Sequence, residues 1–74
     1  MIDVIRIDRE ILGGTPCFAG TRVPVRSLFD HLKLGYTLDG FLEEFPTVKR
    51  EQVDALLEQS RDQLEARARQ LVTQ

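Results

Sequence analysis

The sequence has few of the residues that hold very small proteins together through covalent links or metal ions. Cys17 is the only cysteine, His31 is the only histidine, and tryptophan is absent. One cysteine cannot form an internal disulfide, and together with one histidine it falls short of the four ligands of a structural zinc site. A chain of 74 residues can bury only a small hydrophobic core, so its stability as a monomer is marginal. Small proteins of this kind are often stabilised by association with another chain. We therefore expect a cytoplasmic homodimer without a metal or other cofactor.

Long apolar segments and an excess of positive charge are also missing. The longest stretch without a charge, residues 11–21, is short and glycine-rich, and the N-terminus lacks the basic start and apolar run of a signal peptide. We therefore expect no membrane segment. The net charge is −2, and the acidic groups are concentrated in residues 38–74. Because non-specific DNA binding needs a local excess of Lys and Arg, any DNA contact must be confined to one part of the surface.

The first 24 residues predict short strands joined by a glycine-rich loop. The β-branched residues that indicate the first strand are Ile2, Val4, Ile5 and Ile7. Gly13 and Gly14 then break the chain, and two extended pieces, residues 16–18 and 21–23, flank a turn at Gly20. We hypothesise that this loop lets short strands pair, within one chain or across a dimer.

The first helix is predicted to start after Pro24. Proline holds the preceding residue in an extended conformation, and its own fixed φ suits the start of a helix. Apolar residues then recur at i, i+3, i+4 and i+7, which predicts an amphipathic helix over residues 25–34 with Gly35 just past its end. The residues of this apolar stripe are Val25, Leu28, Phe29 and Leu32.

Two more helices are predicted in the second half of the chain. Thr37 is a suitable N-cap for a short helix that ends at Pro46. The residues expected to point inward from it are Leu38, Phe41, Leu42 and Phe45. A long third helix is predicted over residues 49–71. Its leucines recur every seven residues, at Leu57, Leu64 and Leu71. Such a narrow seam suits packing on a partner.

Together these elements predict a mainly α single domain over residues 1–74. It is a three-helix, homeodomain-like helix-turn-helix preceded by short N-terminal β-strands. The strand and glycine-loop region spans residues 1–24, the three-helix unit residues 25–60, and a C-terminal helical extension residues 61–74. In a helix-turn-helix the helix after the turn enters the major groove of DNA. Short helix pairs also occur in purely structural bundles, so spacing alone leaves both uses open.

The start of the third helix carries the candidate DNA contacts, which are Thr47, Lys49, Arg50 and Gln52. Free backbone N–H groups and the helix dipole favour an anion there, so the two cations suit a phosphate. Gln52 suits an adenine edge. The alternative is a solvated helix end at which Gln52 closes a capping box.

The other polar residues predict structural uses. Thr21, Arg22 and Arg26 form a cluster beside the glycine turn that can donate to phosphate, carboxylate or neighbouring carbonyl groups, and we expect a structural role. His31 lies off the apolar stripe, so we expect it at the surface or at the rim of the core. Cys17 is expected to be a small buried hydrophobe. Nothing in the sequence places a base beside a nucleophile, so we expect no enzyme.

Two glycine-containing elements occur in a specific order. GGTP at residues 13–16 precedes GTRVPV at residues 20–25, and Gly35, Phe45-Pro46 and a helix opening with Gln52-Val53 follow. Over residues 2 to about 60 this order resembles family 433 of the domains of unknown function. The positions that match its signature loop are Gly13, Gly14, Pro16, Gly20, Thr21, Arg22 and Pro24. Lys49 departs from the family's usual Ser or Thr, so we expect either a cap from Thr47 or a frayed first turn.

The resemblance implies a function as well as a fold. Members resemble VapB-type antitoxins, small proteins with an N-terminal strand region and a homeodomain-like three-helix unit, often encoded beside a PIN-like ribonuclease toxin. It implies an antitoxin of a type II toxin–antitoxin pair that inhibits this ribonuclease and represses its own operon by binding operator DNA. It implies no catalysis. The alternative is a protein-interaction module, which the negative charge favours, or a stand-alone DNA-binding regulator without a toxin partner.

Overall fold

Three α-helices follow a small two-stranded sheet in the computed structural model, which describes residues 4–72. The elements in chain order are β1 (Ile5–Arg6), a 3-10 turn (Leu12–Gly14), β2 (Cys17–Phe18), α1 (Val25–Lys33), α2 (Leu38–Glu44) and α3 (Arg50–Val72). The prediction of a mainly helical chain with three helices and short N-terminal strands is confirmed. Ile2, which we assigned to the first strand, lies outside the described residues.

The glycine-rich region folds into a compact antiparallel layer. β1 pairs with β2, with Ile5 opposite Phe18 and Arg6 opposite Cys17. After β2 the chain turns back at once, and the N–H of Phe18 donates to the carbonyl of Val23 at 3.0 Å. The strands of this region therefore pair within one chain.

A left-handed residue closes the turn that follows β2. Gly20 has a φ of +76°, a conformation that residues with a Cβ adopt at a cost. Beyond it, the N–H of Val25 donates to the carbonyl of Pro16 at 3.0 Å. The predicted turn at Gly20 and the extended piece before it are thus confirmed. The second predicted piece is not a strand, because Thr21 and Arg22 form a bend and only Val23 and Pro24 pair back to β2 before α1 begins.

The first two helices follow their sequence signals closely. α1 ends within one residue of its predicted end, and Leu28 is fully buried. Thr37 caps α2 as predicted, because its Oγ1 accepts a hydrogen bond from the N–H of Gly40 at 3.0 Å. One residue of the predicted apolar stripe is less buried than we expected. Phe29 remains 38% exposed, since the strands and the other helices cover only part of the apolar stripe of α1.

The core lies where the three helices meet the strand layer. Its buried residues are Val4, Phe18, Val23, Leu28, Phe41, Val48, Val53 and Leu56. The rings of Phe18 and Phe41 have centroids 6.2 Å apart, so β2 and α2 pack on each other directly. This contact fixes the glycine-rich turn beside the connection between α2 and α3.

The second half of α3 leaves the core. Its buried residues, Val53 and Leu56, both lie in the first half, and every described residue from Arg61 onward is exposed. An α-helix rises about 1.5 Å per residue, so residues 61–72, here called the helical arm, extend for about 18 Å. None of the helices in residues 4–72 is both long and apolar enough to cross a membrane.

Candidate functional site

Gln52 ties the start of α3 to the glycine-rich turn. Its Oε1 accepts a hydrogen bond from the N–H of Lys49 at 3.0 Å, and its Nε2 donates to the carbonyl of Ala19 at 2.9 Å. The first contact is one half of a capping box, because the lysine at the N-cap has no side-chain acceptor to complete it. The helix start is thus capped by Gln52 rather than by Thr47. The second contact joins residues 33 positions apart, and sequence reasoning gave no sign of it.

The four expected DNA contacts differ in their exposure and in the polar contacts that they already make. Thr47 and Lys49 are exposed, and neither side chain has a polar partner among residues 4–72. The Arg50 guanidinium contacts the Asp39 carboxylate at the start of α2. Gln52 is half-buried in the arrangement described above, and both its amide oxygen and its amide nitrogen already make a hydrogen bond within the fold. Lys49 and Thr47 are therefore the members of this set whose side chains are exposed and make no polar contact within residues 4–72.

Thr21 has the structural role that we expected. It is only 9% exposed, and its Oγ1 donates to the carbonyl of Phe18 at 2.8 Å and accepts from the N–H of Val23 at 3.0 Å. The hydroxyl thus closes the turn that Gly20 makes. The neighbouring Arg22 and the more distant Arg26 are both exposed, and their guanidinium groups take no part in these hydrogen bonds.

The remaining residues of the signature loop determine the path of the backbone. Gly13 and Gly14 lie in the 3-10 turn with φ values of +66° and +90°. Pro16 precedes β2, and Pro24 both bridges to Cys17 and occupies the N-cap of α1. These residues set the turns that lead into β2 and α1. The role in a dimer that we assigned to the same loop stays a prediction.

An open cleft of about 480 Å³ lies between the strand layer and the connection from α2 to α3. The residues lining it are Arg6, Asp8, Ile11, Cys17, Gly20, Thr21, Arg22, Val23 and Thr47. Cys17 is buried, as expected, with its thiol 3.3 Å from the carbonyl of Thr15. The charged members are two arginines and Asp8, whose Oδ1 accepts from the N–H of Glu10 at 2.9 Å. The lining thus carries one positive charge in excess.

His31 lies at the rim of the core rather than on open surface. Its side chain is 18% exposed, and its ring centroid lies 5.0, 5.5 and 5.3 Å from those of Tyr36, Phe41 and Phe45. Sequence reasoning placed it at a rim or surface but missed this aromatic cluster. In residues 4–72 no three His, Cys, Asp or Glu side chains form a group that could hold a metal ion.

The helical arm combines paired charges with uncovered leucines. Arg61 contacts Asp62 at 3.1 Å, and Arg69 contacts Glu65 at 3.3 Å. The hydrogen bond and the negative charge of Asp62 raise the pKa of the Arg61 guanidinium, which is protonated in proteins in any case. Leu64 and Leu71 are each 67% exposed. The arm therefore exposes apolar surface, and its charged residues are of mixed sign.

Comparison with known proteins identifies relatives of the three-helix unit. The family model described as "Protein of unknown function (DUF433)" matches residues 5–58. The "Uncharacterized protein y4eO" of Sinorhizobium fredii (strain NBRC 101917 / NGR234) is 33% identical over 51 residues, which are 69% of this chain and 23% of that protein. The chain thus spans less than a quarter of the length of this relative. No solved structure matches this chain. The helical arm lies beyond the segment that the family model covers.

Proposed function

The chain belongs to the DUF433 family, and we propose that it acts as the antitoxin of a type II toxin–antitoxin pair. In this role it binds and inhibits a PIN-like ribonuclease and represses its own operon by binding DNA, as a cytoplasmic homodimer. The observation that carries the proposal is the two-part build of the chain. A folded three-helix unit continues into a helical arm whose leucines nothing in residues 4–72 covers.

The arm has the features of a helix that docks into a groove. Such helices present apolar residues at regular spacing to a partner, and they gain most of their stability from that packing. Leu64 and Leu71 have this spacing and are largely exposed. Arg61 and Arg69 are paired with carboxylates of the arm itself, whereas Arg67 has no ion pair among residues 4–72 and would be the charge that a nuclease surface has to accommodate.

DNA binding is assigned to the start of α3. Lys49 stands at the N-terminus of a 23-residue helix, where the dipole and free N–H groups also favour an anion. Arg50 contributes after leaving Asp39, and this exchange costs little. The two side chains are 48% and 80% exposed, and exposed ion pairs contribute about 0–1 kcal/mol. A phosphate can therefore replace the carboxylate as the partner of Arg50.

A protein-interaction module without DNA binding is the second candidate. Two observations favour it: Gln52 is already engaged in the fold, and the chain has a net charge of −2. The dependence of affinity on salt separates the two. A DNA binder that uses several cations loses affinity steeply as salt rises and weakens when Lys49 and Arg50 are replaced by alanine, whereas an interaction module does neither.

The first experiment is purification of the tagged full-length protein from its native cells at moderate salt, with mass spectrometry of what co-purifies. We expect a PIN-like ribonuclease in stoichiometric amount, and addition of the protein should inhibit that nuclease. A dimeric protein that brings down no nuclease would contradict the antitoxin role and favour a stand-alone regulator or an interaction module.

A matched pair of variants tests the role of the arm. Leu64→Gln combined with Leu71→Gln should weaken binding to the nuclease about tenfold or more, because apolar anchors in a groove each contribute more than about 1 kcal/mol. The control combines Gln63→Ala with Ala66→Gln, two changes at exposed positions of the same arm, and should bind as the wild type does. Equal binding by both variants would remove the leucines from the interface.

A further inference from the structure

Two unpaired arginines line the open cleft described above. Arg6 comes from β1 and Arg22 from the glycine-rich turn, and both line the same space. Across residues 4–72, no hydrogen bond or ion pair engages either guanidinium group. Arg50, Arg61 and Arg69 contact carboxylates. The other arginines and lysines of residues 4–72 have no ion pair, and of these Arg6 and Arg22 share the lining of one cleft. The cleft is therefore a place where this acidic chain presents positive charge that it does not neutralise itself.

The cleft adjoins the start of α3. Thr47, from the connection before α3, forms part of the lining, and Lys49 follows two residues later. The hydrogen bond from Gln52 to the carbonyl of Ala19 holds the helix start against the turn that carries Arg22. Lys49, which is exposed, therefore lies two residues along the chain from a residue that lines the cleft. Asp8 is the one carboxylate in the lining.

We propose that this cleft binds a backbone phosphate of duplex DNA, with Arg6 and Arg22 as the contacting cations and the hydroxyl of Thr47 as a further donor. Guanidinium groups donate paired hydrogen bonds that fit two phosphate oxygens. A ligand that satisfies the cleft and Lys49 together must carry more than one negative charge over an extended length, and a DNA strand does so. The inference rests on the proposed DNA binding and places part of the contact on the strand layer, outside α3.

The test is a titration of a fluorescent duplex of about 20 base pairs, of mixed sequence, at several salt concentrations. The cleft variant combines Arg6→Gln with Arg22→Gln. The control combines Lys33→Gln with Arg67→Gln, which removes the same charge at exposed positions outside the cleft. Each lost phosphate contact lowers the slope of log K against log salt by about 0.9. We expect the cleft variant to lose one to two such contacts and at least tenfold in low-salt affinity, and the control to change by less than about threefold.

Each outcome decides between the proposals. If the wild type binds with a steep salt dependence and the cleft variant binds equally well, the cleft proposal fails while DNA binding stands. Equal weakening by the cleft and control variants would show a net-charge effect and would also overturn the cleft. If the wild type does not bind the duplex, both fail.

Two further measurements keep the result interpretable. Circular dichroism and thermal melting of the cleft variant establish that the loss is not unfolding, and Arg22→Gln alone should retain part of the effect if the double change does not fold. Arg6→Lys with Arg22→Lys keeps the charge but not the paired donors, and should bind with intermediate affinity. A lysine variant as weak as the glutamine variant would still support specific guanidinium contacts, whereas one as strong as the wild type would overturn them.

Discussion

The Nε2 atom of His31 lies 3.1 Å from Oε2 of Glu44, so the last turn of α1 is tied to the last residue of α2. The other ring nitrogen, Nδ1, lies 2.7 Å from the carbonyl oxygen of Ser27. Carbonyl and carboxylate oxygens only accept hydrogen bonds, so a ring N–H is the donor in either contact. The imidazole thus links two helices, and its ring lies close to those of Tyr36, Phe41 and Phe45.

Replacing His31 should weaken the fold measurably. We expect His31→Ala to lower the free energy of unfolding by about 1–3 kcal/mol, because it removes aromatic contacts and a hydrogen bond at the core rim. Glu44→Gln should cost less than about 1 kcal/mol, because the Glu44 side chain is 52% exposed and exposed pairs are screened by solvent. Urea denaturation followed by circular dichroism measures both. Lys33→Ala, at an exposed position of the same helix, is the control, and an equal effect from it would contradict the prediction.

Replacing Gln52 should separate the cap from the brace to Ala19. Gln52→Ala removes both hydrogen bonds and should lower the free energy of unfolding by about 1–2 kcal/mol. Gln52→Glu keeps an acceptor for the N–H of Lys49 but loses the donor to Ala19, so it should fall between alanine and wild type. Chemical denaturation is the measurement, with the exposed neighbour Glu51→Ala as control. A glutamate variant as unstable as the alanine variant would contradict this order and show that the cap does not outweigh repulsion between the new carboxylate and the Ala19 carbonyl.

The turn at Gly20 should tolerate residues according to their backbone preference. A Cβ at this position would meet nothing within 4 Å, but φ is +76°. We therefore expect Gly20→Val to cost about 1–2 kcal/mol through backbone strain, and Gly20→Asn to cost less, because asparagine adopts the left-handed region more readily. Thermal melting distinguishes the two variants. Equal melting temperatures would show that strain in the turn does not govern stability.

The leucines of the helical arm should contribute little to the stability of the isolated fold. We expect Leu64→Gln and Leu71→Gln to change the free energy of unfolding by less than about 0.5 kcal/mol, since both residues are 67% exposed. Leu56→Ala, at a position 4% exposed, should cost about 2–5 kcal/mol. Urea titrations at several protein concentrations provide the test. A concentration-dependent loss in the arm variants would instead indicate that a second copy covers these leucines.

The sequence by itself determined the elements and their ends. The cap from Thr37, the stop at Gly35 and the start after Pro24 all occur where local patterns predict them. Capping, chain reversal and proline geometry act between residues a few positions apart, so the neighbours that decide them are visible in the sequence. The heptad of leucines likewise predicted a narrow apolar seam at the end of α3, where Leu64 and Leu71 are each 67% exposed.

Only the tertiary structure decided which distant residues meet. Burial of the apolar faces brought Arg6 and Arg22 into the lining of one cleft and set Gln52 against Ala19, because packing of the core fixes the relative position of segments that no local pattern connects. The same packing placed Asp39 next to Arg50 and left Phe29 half uncovered. Periodicity shows which side of a helix is apolar, but the extent of its burial depends on the shapes of the elements packed against it.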